Sequence, residues 1–288
     1  MDFNTYLNKA WDDHAKDAAQ VTTTFSEGLK LVQNADQLAQ LGRLSAHVFG
    51  EHLGKWDQGI SFLNELKTHS QFTKNSEPEK LLMLYSASLA LSGQKNPNLT
   101  KFSNSEQIRI LAMSASSVYE QGSPDKAKEY FLKALDLAAS KISKDDPANR
   151  SLAVAGNNLA CSLEEKSSRN SIEDELMILA AKVARKFWEV AGTWKEVERA
   201  EYRLSYSFRQ AGNFDESFAH AQLCVEICET NSAPALEFFF GYEALALVEK
   251  AKSNDLGYKT AVQQVTSYFE KLSEDDKSWC KSSLEKLS

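Results

Sequence analysis

Proline and glycine are scarce in this chain, 5 and 12 among 288 residues. That excludes a turn-rich sheet protein and favours long helices. Cysteine is scarcer still, at four residues. Cys161, Cys224, Cys228 and Cys280 are too few and too scattered to staple a disulfide domain, and they suit reduced thiols in a cytosol. No stretch approaches the roughly 18 uninterrupted apolar residues of a membrane span. The most aromatic run, ALEFFFGYEALAL, carries Glu237 and Glu243 and reads as a buried helix. The first residues, MDFNTYLNKAWDDHAKDAAQ, lack the basic start and apolar run of an ordinary signal peptide. Basic charge is in deficit. The net charge of −7 argues against general affinity for nucleic acid or an anionic membrane.

What is present is helical periodicity. Apolar residues recur at spacings of three and four in runs of about 15 to 20 residues, which gives roughly thirteen or fourteen helices. Breaks fall at Gly54-Lys55, Ser76 to Pro78, Gly93 to Ser103, Gly122 to Pro124, Asp145 to Pro147, Ser167 to Ser171, Gly192-Thr193, Gly212-Asn213, Ser232 to Pro234, Ser253 to Asp255 and Ser273. Ser123-Pro124 and Ser273 followed by acids are helix-start chemistry.

The run QGSPDKAKEYFLKALDLA, residues 121–138, is one copy of a repeat. Aligned on Gly122 and Gly212, small residues coincide at Ala127 and Ser217 and again at Ala134 and Cys224. A third copy aligns on Gly54, with Gly59 as its small residue. In the preceding helices Ala115, Ala160 and Ser205 recur at equal spacing, and Ala246 follows. A hairpin cannot bury its apolar stripe alone, so neighbours stack, with small residues where helix axes approach closely. Glycine closes the first helix in a left-handed conformation.

These hairpins resemble tetratricopeptide repeats. The resemblance rests on Tyr130-Phe131-x-x-Ala134-Leu135 after Gly122, and on Leu204, Phe208, Gly212 and Phe214 after Trp194. The segment DDPANRSLAVAGNNLACSLEE is similar to the longer repeat of kinesin light chains and related bacterial arrays, through Asn157 to Ala160. The 34-residue spacing of the family is not kept, and residues 93–103 stand where a second helix would come. The resemblance implies an all-α, right-handed α-solenoid of stacked antiparallel hairpins. The expected divisions are N-terminal capping helices over 1–35, a repeat array over 36–272 and a C-terminal capping helix over 273–288. Phe3, Tyr6, Leu7, Ala10 and Trp11 form the stripe of the first cap; Trp279, Leu284 and Leu287 belong to the last.

Linear catalytic signatures are missing. There is no HExxH, no glycine-rich phosphate loop and no GxSxG elbow. His220, Cys224 and Cys228 stand at i, i+4 and i+8, but three ligands along two turns do not converge on one tetrahedral ion, and Cys224 sits at a packing position. Buried free cysteine behaves as a small hydrophobe. No metal and no cofactor are expected.

The candidate binding surface is TWKEVERAEYRLSYSFRQ. Arg199, Tyr202, Tyr206 and Arg209 share a helix face, Arg203 lies beside them, and Leu204, Ser205 and Phe208 take the packing side. The repeat resemblance implies that first helices line a concave groove for peptides or partner helices. Asn157 and Asn158 on the preceding first helix would offer amides to a peptide backbone. Guanidinium groups bind carboxylates bidentately, and tyrosine adds apolar area with a polar tip. The rival reading is a solvated basic stripe that pairs with Glu164, Glu165, Glu196, Glu198 or Glu201. The expectation is therefore a non-enzymatic cytoplasmic adaptor binding a protein or peptide, with an acidic or C-terminal segment as ligand, and no nucleic-acid or membrane partner. The alternatives are a peptide-sensing regulator and a helical effector or enzyme without a linear motif. The oligomeric state is not legible.

Overall fold

A computed structural model describes residues 1–139 and 142–287; Ser140, Lys141 and Ser288 lie outside the described residues. Among these the structure holds fifteen α-helices and no strand. Two compact units divide at Ser151/Leu152. That boundary falls inside a helix, within the span 36–272 that the sequence reads as one array.

The first unit holds α1 (Phe3–Asp13), α2 (Ala18–Thr23), α3 (Phe25–Lys30), α4 (Ala35–His47), α5 (Trp56–Leu66), α6 (Glu77–Ser92), α7 (Asn104–Glu120), α8 (Pro124–Ala139) and the first turn of α9 (Pro147–Glu164). The starts are set by side chains. Asp2, Asp17, Asn34, Ser76 and Ser103 each accept a backbone N–H of the first turn, and Ser103 with Glu106 forms a reciprocal capping box. Phe3, Tyr6 and Ala10 bury the stripe of α1. They pack it onto α2, α3 and α4. Tyr6 lies so close to Gly28 that a Cβ there would sit 2.2 Å from the ring. A single π turn, Val48–His52, follows α4 directly. Residues 93–103 hold a short 3-10 turn, Leu99–Lys101, before α7.

The second unit holds the rest of α9, then α10 (Ser171–Ala191), α11 (Trp194–Gln210), α12 (Phe214–Thr230), α13 (Ala235–Ala251), α14 (Asp255–Glu270) and α15 (Glu274–Glu285). Consecutive helices pack as neighbours from α10 to α15, and α11 also touches α13. Gly156 on α9 lies against the backbone of α10, where a Cβ would meet the Ala180 carbonyl at 2.6 Å. The aromatic run becomes α13, with Phe239 fully buried.

The hairpin register read from the sequence matches the burial. Gly122 and Gly212 both adopt φ +78°, and Gly54 adopts +60°. Ala127, Ser217, Ala134, Cys224, Ala160, Ser205 and Ala246 are all buried at helix contacts. Trp279 is 64% exposed, and Cys280 takes the buried position of α15. The residue after Trp279 points inward because the apolar neighbours Phe239, Ala261 and Val265 lie on that side.

Candidate functional site

Helix α11 begins at Thr193, whose side chain caps the helix while Glu196 reaches back to the Thr193 N–H. Its packing side is Leu204, Ser205 and Phe208, all buried, as the sequence expects. The opposite side carries the candidate residues.

Tyr202 and Tyr206 stack with ring centroids 6.1 Å apart, and the Arg209 guanidinium lies over Tyr206 at 4.5 Å. The stack continues onto α13 and α15. Tyr202 meets Phe240 edge-on at 5.9 Å, and Phe240 meets Trp279 at 5.2 Å. Arg209, Tyr206, Tyr202, Phe240 and Trp279 thus form one track across three helices, half-buried at Tyr202 and open at Trp279. Sequence reading missed Phe240 and Trp279, because α13 lacks a one-sided pattern and Trp279 was assigned to the cap.

The cations beside the track are not equivalent. Arg199 donates two hydrogen bonds to Glu237 of α13, at 2.8 and 3.3 Å. Lys195 approaches the same carboxylate at 3.6 Å. Arg203 turns to α9 and pairs with Glu164, which also accepts from Ser207 at 2.5 Å. The rival reading named Glu164 as such a partner; Glu237 was not foreseen. Arg209 has no carboxylate within ion-pair distance among the described residues. Asn157 is half-buried and Asn158 exposed on α9. Asn157 donates to Asn158 at 3.4 Å and to the Cys161 sulfur at 3.8 Å. The structure therefore brings together Tyr202, Tyr206 and Arg209, and ties Arg199 and Arg203 to neighbouring helices.

Buried carboxylates surround this face. Glu243 accepts from Tyr202 at 3.1 Å, and burial raises its pKa, opposed by hydrogen bonds from Ser283 and Tyr202. Burial also drives the Tyr202 hydroxyl well above its ordinary value, and Glu243 adds to that. Glu164 is raised by burial, with Arg203 and Ser207 acting against it. Glu201 is buried as well, yet hydrogen bonds from His220 at 2.6 Å and from Arg185 outweigh the burial and hold it below its ordinary value. Glu198 has neither advantage. It is 1% exposed, its carboxylate oxygens have no hydrogen-bond partner among the described residues, and burial with the neighbouring Glu237 pushes it up to about 8.

His220 and the two cysteines are engaged separately. His220 faces Glu201 and stacks on Phe208, and Cys224 donates to the Glu198 carbonyl at 3.5 Å. Burial raises the thiols of Cys224 and Cys228, the latter to about 12, and all four cysteines are free. The grouping of metal-type ligands that the structure does assemble is elsewhere, at His14, His47 and His52.

The chain was compared with family models, curated proteins and solved structures, and none of them matches it. No helix among the described residues is long and apolar enough to cross a membrane.

Proposed function

We propose that the chain is a non-enzymatic, cytoplasmic adaptor of tetratricopeptide-like, right-handed solenoid architecture that binds a peptide segment of another protein on the exposed side of α11, α13 and α15. The observation that carries this reading is the aromatic track from Tyr206 through Tyr202 and Phe240 to Trp279, with Arg209, which has no carboxylate partner among the described residues, over one end. Half-buried aromatic rings ending at the exposed Trp279 supply rigid contact area at low entropic cost, and a guanidinium without a carboxylate partner captures a carboxylate bidentately. Arg199 and Arg203 are already paired with Glu237 and Glu164, so acid capture falls to Arg209. The ligand is then an apolar or aromatic segment with one acidic group or a free C-terminus. The buried Glu198 does not favour an enzyme, since a group 1% exposed meets no substrate.

The test is selection from a displayed library of peptides with free C-termini, followed by calorimetry of the best binders. Arg209→Glu is expected to weaken them more than 10-fold, and Tyr202→Ala or Tyr206→Ala to cost about 1–2 kcal/mol each. Thermal melts serve as the folding control. Selected peptides whose affinity is unchanged in all three variants would remove this surface as the binding site.

A further inference from the structure

Three of the five histidines of the chain meet in the first unit, and their meeting depends on a local departure from α-helical geometry. His47 ends α4 and His52 ends the π turn. In an α-helix of 3.6 residues per turn, positions five apart point about 140° away from each other. A π turn closes i to i+5, so such positions come nearly into line. The turn is real in its bonding: the Leu53 N–H donates to the Val48 carbonyl at 3.2 Å. It leaves the Nε2 atoms of His47 and His52 3.1 Å apart. His14 caps the C-terminal end of α1 and completes the group, with one ring nitrogen of each histidine within 4.8 Å of the others.

The second ring nitrogens of His14 and His47 are occupied in the way that metal-binding imidazoles require. His14 Nδ1 lies 2.5 Å from the Trp11 carbonyl, which fixes it as the donor and leaves Nε2 with its lone pair. His47 Nδ1 lies 3.1 Å from a Glu51 oxygen, the carboxylate–histidine pairing that orients a ligand and raises its basicity. Trp11 packs against His14 at 5.2 Å and His47 at 5.3 Å and covers the group on one side, with Arg43 beyond its ring. His52 is exposed, so the group opens to solvent on the other.

We propose that His14, His47 and His52 bind one first-row divalent transition metal ion, of the zinc class, with Glu51 orienting His47. Three neutral imidazoles with an open fourth position suit zinc, copper or nickel rather than the oxygen-seeking magnesium or calcium. The ion ties the end of α1 to the end of α4, so it acts as a clamp on the N-terminal helix.

The experiment is titration of the full, chelator-treated chain with zinc ion against a chromophoric competitor, with cobalt(II) absorption as the report on coordination. One ion per chain is expected, with a tetrahedral-type cobalt spectrum and a raised melting temperature. His47→Ala or His52→Ala should weaken binding at least 100-fold, and Glu51→Gln about 10-fold. His14→Ala should weaken binding and abolish the thermal shift. His69→Ala and His220→Ala should leave zinc affinity and the zinc-induced thermal shift unchanged. Since His52 is exposed, its variant decides the matter if His47→Ala loses helix content. Absence of saturable binding, or binding that survives His52→Ala, or equal losses in the His69 and His220 variants, would each overturn the site.

Discussion

Residues 1–151 bury no carboxylate, whereas residues 152–287 bury seven: Glu164, Glu173, Glu198, Glu201, Glu237, Glu243 and Glu249. The buried polar groups of the first unit are serine hydroxyls and one asparagine amide. Both units are built from helices with small residues at the contacts, so the difference is not one of secondary-structure class. It is one of how neighbouring helices are held in register. In the first unit apolar packing does most of this, with hydroxyls bonded to carbonyls. In the second, α11 is latched by charge to α9 through Glu164, to α10 and α12 through Glu201, and to α13 through Glu237. A buried ion pair adds little net stability over an apolar pair of the same shape, because desolvation offsets the attraction. Breaking one is another matter. The second unit is therefore the one in which single polar substitutions and pH should act hardest, and it is also the one that presents the aromatic track.

The sharpest way to break this contrast is at the Arg203–Glu164 pair. Arg203→Ala leaves a buried carboxylate with only Ser207 as a partner, and we expect a loss of about 3–5 kcal/mol in urea unfolding. Replacing the pair together by Met and Leu should restore most of that. A loss under about 1 kcal/mol for Arg203→Ala would mean that water reaches Glu164 and that the latch is superficial.

The second effect depends on pH. The folded chain holds the proton of Glu198 up to about 8, while the unfolded chain releases it near the ordinary 4.5. Between those values the folded state binds more protons than the unfolded one, so this group removes stability as pH rises through that window and has no further effect above it. Glu198→Gln, which cannot ionise, should match the wild type near pH 4.5 and exceed it by on the order of 4–5 kcal/mol at pH 9. Urea midpoints of the two proteins across that range give the answer. Parallel curves would show that Glu198 ionises freely in the folded state.

Much of the fold was legible because helix punctuation is local chemistry. Ser76, Ser103, Thr193, Asn254 and Ser273 announce starts that need no knowledge of the partner helix, and Gly122 and Gly212 announce turns. The shared face of Tyr202, Tyr206 and Arg209 follows from helical geometry alone. The continuation of the track through Phe240 and Trp279 does not, since it needs the packing of α13 and α15 against α11. Likewise Arg199 and Arg203 look free in the sequence because Glu237 and Glu164 lie on other helices. The histidine group was hidden twice over. His14 is distant in sequence, and the spacing of His47 and His52 fits no α-helical face, so only a π turn brings them together.

The smallest effect sharpens the comparison by asking where the two units should agree. Each has a pair of serines at a helix contact with like bonding, except that the Ser88 carbonyl also accepts from Ser92 at 2.9 Å. Ser114 donates to the Ser88 carbonyl at 3.1 Å with the two hydroxyls 3.2 Å apart; Ser217 donates to the Ser205 carbonyl at 2.7 Å with its hydroxyls also 3.2 Å apart. All four side chains are buried, and each carbonyl also serves its own helix. Removing the donor by Ser114→Ala or Ser217→Ala deletes one neutral hydrogen bond and leaves the partner hydroxyl able to rotate to a carbonyl of its own turn. We expect each to cost about 1 kcal/mol, at every pH between 5 and 9. Equal, pH-independent losses would show that the crossings of the two units are interchangeable and that charge alone separates them. A markedly larger or pH-dependent loss for Ser217→Ala would mean that this crossing is coupled to the carboxylates of α11, and the contrast between the units would then extend down to their smallest contacts.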